Sequence, residues 1–139
     1  MMRISEDSTA SAERLWTYLG DVEHWGDRLP TFDSVRHVGG PVPTNVGSRF
    51  EVRQPGLARA TYEITRWEPD HGFTWVGRMP GVATTGIHDL EPAGRGCRIT
   101  LGIEWSGPLA RAVRLLMASK ARRMMQSECE TIVRLAERD

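Results

Sequence analysis

Residues 97–108 read CRITLGIEWSGP, and this stretch decides the fold. Cys97, Ile99, Leu101, Ile103 and Trp105 alternate with Arg98, Thr100, Gly102 and Glu104. Such a period of two marks a strand with one face in the core and one in water. Gly107-Pro108 ends it. The following residues, 110–138, contain no Gly or Pro, so they predict a long helix entered through a proline. At roughly 100° per residue, Val113, Met117, Ala121, Met124, Ile132 and Leu135 form one apolar stripe, with Leu109, Leu116 and Met125 at its borders. Arg111, Arg122, Arg123, Glu130, Arg134 and Glu137 fall mostly elsewhere. One stripe on one helix implies one sheet-facing surface.

Upstream, turn chemistry recurs roughly every 8 to 14 residues, the spacing of an antiparallel meander. The turns are Gly39-Gly40-Pro41, Pro55-Gly56, Pro69-Asp70-His71-Gly72, Pro80-Gly81 and Pro92-Ala93-Gly94. Phe50 and Val52 alternate with Arg49, Glu51 and Arg53, and Tyr62 and Ile64 with Thr61, Glu63 and Thr65. Phe73 and Trp75 continue the pattern. In Ala83 to Glu91, an inward Leu90 puts His88, Gly86 and Thr84 on the same inward face. Half-buried antiparallel sheet accounts for all of this.

At the N-terminal end, Ala12 to Leu19 places Leu15, Trp16 and Leu19 at helical spacing behind a Ser/Thr-rich cap. Asp21 to Arg28 reads as a second helical turn carrying Val22 and Trp25, and Pro30 stops it. A short strand is expected at Met2 to Ser5. The predicted order is one short strand, two small helices, six strands in meander and a long amphipathic helix. Residues 1–139 carry no repeats and no linker, and are expected to form a single α+β domain.

Composition narrows the partners. Eighteen basic residues balance eighteen acidic ones, for a formal net charge of +0, so no global field draws the chain to nucleic acid or anionic lipid. No apolar run approaches the ~18 residues of a spanning helix. The start MMRISEDS resembles neither a secretory signal nor a transit peptide, so cytoplasmic residence without stable membrane insertion is expected. Lys120 is the only lysine, an arginine bias that suggests a GC-rich bacterial genome. Cys97 and Cys129 form no C-x-x-C pair and are expected as buried free thiols. Oligomeric state is left at monomer or homodimer.

In its order of elements and in particular residues the chain resembles the START-like superfamily of Bet v 1-like helix-grip proteins (SRPBCC). Within it, the chain is most similar to small bacterial polyketide cyclase/dehydrase-type lipid-binding proteins. Ser11-Ala12-Glu13-Arg14-Leu15-Trp16 is similar to that family's helix start, and Asp21-Val22-Glu23-His24-Trp25 to its D-x-E-x-W segment. Val46-Gly47-Ser48-Arg49-Phe50, Phe73-Thr74-Trp75, Pro80-Gly81-Val82, His88-Asp89-Leu90-Glu91-Pro92 and Trp105-Ser106-Gly107-Pro108-Leu109 follow in order. The resemblance covers nearly the whole chain. It implies a helix-grip fold, with a bent six- to seven-stranded antiparallel sheet around the C-terminal helix and two short helices after the first strand. It also implies an apolar ligand cavity. Ser11 departs from the family's usual proline, and the short first strand predicts a thinly covered N-terminal edge.

Alternation then nominates the wall of such a cavity. Phe50, Val52, Tyr62, Trp75, His88, Ile103 and Trp105 come from the sheet, and Val113, Met117 and Met124 from the helix. His88 and Tyr62 are the candidate proton-transfer groups. A neutral imidazole can donate and accept a proton, although a core histidine held by a hydrogen bond fits the same position. The aromatics and methionines could equally be ordinary core. Glu128 stands near the middle of the apolar stripe, where an unpaired carboxylate is costly. It should pair with an arginine, cap a backbone group or lie at the pocket mouth, and structural pairing is the expectation.

Lys120, Arg122 and Arg123, with Arg111 and Arg114 upstream, spread around the helix ahead of Glu130 and Glu137 and read as a solvated surface. Gly39-Gly40-Pro41 lacks the Lys and Ser/Thr of a phosphate loop. His24, His37, His71 and His88 have no metal-ligand spacing, and no Gly-x-Ser-x-Gly occurs, so no cofactor, metal or covalent mechanism is expected. Two main readings remain: a module that binds a lipid, quinone or polyketide-like molecule, and an aromatase/cyclase or dehydratase using the same pocket. Few inward polar groups (His88, Tyr62, Thr84 and Gln54) favour binding. A protein-interaction module using the exposed helix face has no apolar surface patch in its support.

Overall fold

The computed structural model describes residues 1–138. Its seven strands are β1 (Met2–Ser8), β2 (Ser34–Gly39), β3 (Arg49–Arg53), β4 (Ala60–Glu68), β5 (Gly72–Met79), β6 (Val82–Ala93) and β7 (Gly96–Ser106). The helices are α1 (Ala12–Leu19), α2 (Trp25–Arg28, preceded by a 3-10 turn at Val22–His24) and α3 (Ala110–Glu137). The strands form one antiparallel sheet in the order β1-β7-β6-β5-β4-β3-β2. Consecutive hairpins build β2 to β7, and β1 joins the far edge against β7. This is the expected helix-grip architecture.

β1 runs three residues beyond the expected Met2–Ser5. Every residue from Met2, opposite Ile103, to Ser8, opposite Cys97, pairs with β7. Its end is tied down: Glu137 Oε2 accepts from Ser8 Oγ at 2.7 Å and from the Thr9 amide at 2.9 Å. The N-terminal edge is therefore pinned to the last turn of α3. Ser11, in place of the family's proline, caps α1 by accepting from the Arg14 amide at 3.1 Å.

Period-two alternation alone would set Ile64 and Trp67 on opposite faces. A register shift between Ile64 and Arg66 against β5 resets the pleat. Ile64 is consequently fully buried, and Trp67 packs edge-on against Trp16, their centroids 5.0 Å apart.

The core is fullest where α1 and α2 cover the sheet. Leu15, Leu19, Trp25, Phe73 and Ile99 are all essentially inaccessible there. Trp25 sits 5.0 Å from Phe32 and 5.9 Å from Phe73 between ring centroids, and its Nε1 donates to the Tyr18 carbonyl at 3.1 Å.

Helix α3 behaves as two halves. Its second half packs on β1, β7 and α1, burying Ala121, Met125, Glu128, Cys129, Ile132 and Ala136. Here the expected stripe needs correction, because Met125 lies inside it while Leu135 is only half-buried. In the first half Val113 and Met117 are half-buried, as is Met124 further on. Leu116, expected at the stripe's border, is 80% exposed, and Leu109 is also exposed. The buried face is turned toward Met125, Cys129 and Ala136, and the sheet follows the helix only part of the way.

Phe73→Ala should lower the unfolding free energy by about 3–5 kcal/mol, because it empties the aromatic end of the core. Leu115→Ala, on the exposed face of α3, should stay within about 0.5 kcal/mol of wild type. Urea denaturation of both variants checks the contrast.

Candidate functional site

Where α3 stands off the sheet, a cavity of about 300 Å3 opens between them. Val52 of β3, Tyr62 of β4, Trp75 of β5, His88 of β6, and Ile103 and Trp105 of β7 form its sheet side. Val113, Met117, Ala121, Met124, Met125 and Glu128 of α3 close it. Alternation delivers these side chains to one concave face, and two glycines give the rings room. A Cβ at Gly77, opposite Tyr62, would come within 2.9 Å of the phenol ring. One at Gly86, opposite Trp75, would approach Nε1 to 2.8 Å. Tyr62 and Trp75 can therefore lie together, their centroids 4.9 Å apart.

Phe50 does not stand in the wall. It shares its strand face with Val52, but its ring is enclosed by His37 at 5.3 Å and Trp75 at 6.4 Å, with no accessible surface left. The cavity ends between these two residues. The structure brings the other nine expected wall residues together, and adds Phe32, Leu57, Met79, Val82 and Leu101. Most of the additions come from turns and strand ends, where alternation gives no signal.

His88 is buried and stacked on Phe73, with ring centroids 4.1 Å apart and planes 9° from parallel. Its Nδ1 lies 3.3 Å from the Phe73 carbonyl, which fixes the tautomer with the proton on Nδ1 and Nε2 as the acceptor. Burial lowers its pKa to about 3, against the opposing pull of that carbonyl. His88 is thus a neutral ring at physiological pH. Asp89, next in sequence, points away and is ion-paired with Arg66.

Glu128 was expected to pair with an arginine, cap a backbone group or lie at the pocket mouth, with structural pairing foremost. Among the described residues no ion pair reaches it, and its hydrogen-bond partner is the Thr31 hydroxyl, which donates to Oε2 at 3.0 Å. Burial raises its pKa to about 8, with the Thr31 hydrogen bond acting the other way. Neither lysine nor arginine stands in the cavity wall, so the protonated form is the stable one at neutral pH. Burial, and then the neighbouring Glu128 carboxylate, also push the Tyr62 phenol up. The sequence flagged Glu128 as an acid in an apolar stripe. Its partner Thr31 comes from the segment after α2, which carries no periodic signal.

Cys97 and Cys129 are free and buried. Burial raises both thiols, Cys129 to about 12, so neither offers a thiolate nucleophile.

The profile of the family described as "Polyketide cyclase / dehydrase and lipid transport" matches residues 2–137. The chain belongs to this family. No curated protein matches the sequence. Among solved structures, an aromatase/cyclase named Zhui from a Streptomyces species superposes with a TM-score of 0.76 at 14% identity, covering 99% of this chain and 93% of that one. Norcoclaurine synthase from Thalictrum flavum, solved with dopamine and hydroxybenzaldehyde, gives 0.74 at 18% identity over 96% and 84%. Ara h 8.0201 gives 0.68 at 14% identity over 94% and 95%. At these identities the likeness is one of fold.

The two buried groups oppose each other in their effect on stability. An unfolded histidine takes up its proton near pH 6.5 but His88 only near 3, so acidification through that window favours unfolding. Glu128 keeps, up to about pH 8, a proton that the unfolded chain releases near 4.5. Its contribution is fully present below 4.5 and is lost as pH rises to about 8. Urea midpoints measured across pH should show a plateau between about 4.5 and 6.5 with a fall on either side. Glu128→Gln should flatten the alkaline fall, and His88→Asn should soften the acid one.

Proposed function

We propose that the chain, as a member of this family, binds a hydrophobic small molecule (a lipid, a quinone or a polyketide-like compound) in the cavity between the sheet and α3. The cavity itself carries this reading. Its volume of about 300 Å3 falls at the lower end of small-molecule sites, which suits a slender chain or a small polycycle. Aromatic, aliphatic and thioether groups dominate the wall, so desolvation supplies the affinity, at about 25 cal/mol per Å2 of apolar surface removed from water. Met117, Met124 and Met125 can adjust to more than one shape.

A few polar groups orient the ligand. Protonated Glu128 can donate to a carbonyl, the Tyr62 hydroxyl can donate or accept, and His88 offers an acceptor nitrogen. This set favours a ligand bearing carbonyls over a plain hydrocarbon.

One observation supports a second reading, an aromatase/cyclase or dehydratase. Glu128 and Tyr62 share the cavity, and an acid whose proton is held to about pH 8 is matched to proton transfer at carbon between two carbonyls. In that reading the cavity folds a poly-ketone chain and Glu128 shuttles the proton, with the Tyr62 hydroxyl holding the oxygen. His88 lacks the carboxylate partner that would make it a strong base, which keeps binding as the first reading.

Trp75 and Trp105 are the tryptophans of the wall. A fatty acid or an environment-sensitive apolar dye should shift tryptophan emission and be displaced by longer-chain competitors. Thr84→Phe, which projects a ring into the cavity, should weaken binding at least tenfold. Tyr62→Phe should cost about 0.5–1.5 kcal/mol, one hydrogen bond. No spectral change at micromolar ligand would overturn the binding reading.

Single-turnover assays on a poly-ketone mimic separate the two readings. Expected are no turnover by wild type and an affinity change of at most about tenfold in His88→Asn. Wild-type turnover cut roughly a hundredfold or more by Glu128→Gln or His88→Asn, with binding unchanged, would establish the enzyme.

A further inference from the structure

The first half of α3 carries an apolar surface that the fold does not use. Leu115 is 85% exposed and Leu116 80%. On a helix these neighbours splay about 100° apart, so together they form a broad ridge pointing away from the sheet. Leu109 and Met79, both about half exposed, extend it toward the β5–β6 turn, where the Leu109 amide donates to the Gly81 carbonyl at 2.9 Å. Leucines scattered singly on a surface need no explanation, whereas adjacent ones rimmed by charge mark an interaction surface.

The charges around this ridge have one sign. From Trp105 to Ser127 the chain contains Arg111, Arg114, Lys120, Arg122 and Arg123 and no Asp or Glu. Among the described residues no carboxylate pairs with Arg111 or Arg114, whereas Arg59 of the β3–β4 turn lies 3.9 Å from Glu51. Lys120 is committed to the fold, donating to the Pro55 carbonyl at 3.2 Å. Leu115 falls off the apolar stripe and Leu116 at its border, so these charges frame an apolar ridge.

The same end of the molecule holds the mouth of the cavity. Leu57 from the β3–β4 turn and Met79 at the end of β5, with Val113 and Met117 from α3, line it there.

We propose that this leucine ridge and its arginines dock the protein peripherally on an anionic lipid bilayer, with the mouth of the cavity at the membrane surface. Leu115 and Leu116 enter the acyl boundary while Arg111 and Arg114 meet lipid phosphates, the geometry of an interfacial amphipathic helix. A second copy of the chain fits less well, because a two-fold interface would bring two patches of the same positive sign together. A folded protein partner would need roughly 800 Å2 of complementary surface on each side, which a convex ridge of two leucines does not offer. Docking is independent of what the cavity holds, since ridge and charges are features of the outer surface.

Co-flotation with vesicles tests this, using phosphatidylcholine alone and phosphatidylcholine containing increasing phosphatidylglycerol. Wild type should float with the anionic vesicles, bind pure phosphatidylcholine at least tenfold less, and be released as salt is raised. The double variant Leu115→Ser, Leu116→Ser should lose at least tenfold in partitioning while keeping its circular dichroism and thermal midpoint, since neither side chain supports the core. Arg111→Glu with Arg114→Glu should abolish the preference for anionic lipid. Failure of wild type to bind anionic vesicles, or equal binding by the leucine variant, would overturn the proposal. So would a leucine-dependent dimer of the lipid-free protein in light scattering, which would assign the ridge to a second copy.

Discussion

One helix cannot fill the concavity of seven strands. Strands about 4.8 Å apart give this sheet an arc of roughly 29 Å, while α3 with its side chains is about 10–12 Å across. Covering the remaining width takes other elements or leaves space. At one end α1 and α2 do the covering, and Trp25 and Phe73 weld them to the sheet with ring contacts below 6 Å. At the other end no element follows, α3 spans the gap alone, and the cavity is what remains. The two halves of α3 differ for this reason: the second meets neighbours on three sides, and the first meets the cavity on one side and solvent on the other.

That geometry also explains the electrical character of the cavity. Burial favours whichever form of a titrating group is uncharged, raising acids and lowering bases. Glu128 and His88 move in opposite directions by this single cause, and both end neutral near pH 7. With no lysine or arginine in the wall, the space is polar only through neutral donors and acceptors. A cavity of this kind discriminates by shape and by hydrogen bonds rather than by charge.

Much of this was legible in the sequence, for definite physical reasons. Period-two alternation assigns a side chain to a face, and it placed Val52, Tyr62, Trp75, His88, Ile103 and Trp105 correctly. It does not say where along the arc a residue falls, so Phe50 reads the same as Val52 although neighbouring rings enclose it. Nor does it register a bulge, and the reset at Thr65 that turns Trp67 inward was invisible. A helical stripe fixes an angle about the helix axis but not the point at which the helix leaves its sheet. From Ala121 onward the buried face is turned toward Met125 and Cys129, leaving Met124 and Leu135 half-buried, and Leu116 proved to face solvent. Glu128 was conspicuous as an acid among apolar residues. Its environment, a hydroxyl from a distant segment and no cation, depended on tertiary contacts that local pattern does not encode.

The position of β1 bears on how the molecule comes into being. Met2 pairs with Ile103 and Ser8 with Cys97, so β1 leaves the ribosome well before its only sheet partner, which lies at the far end of the meander. Until β7 emerges, β1 must wait as an unpaired segment while the hairpins from β2 to β6 assemble by local contacts. Such non-local pairing slows folding, because a long loop must close before the contact rewards it. The waiting strand and the open edge of β6 are each templates for the wrong partner. The alternation of Ser5 and Asp7 with inward residues on β1 puts polar side chains on its outer face during that interval. In a crowded nascent polysome, the same chemistry that seals the finished sheet would discourage neighbouring chains from exchanging their first strands.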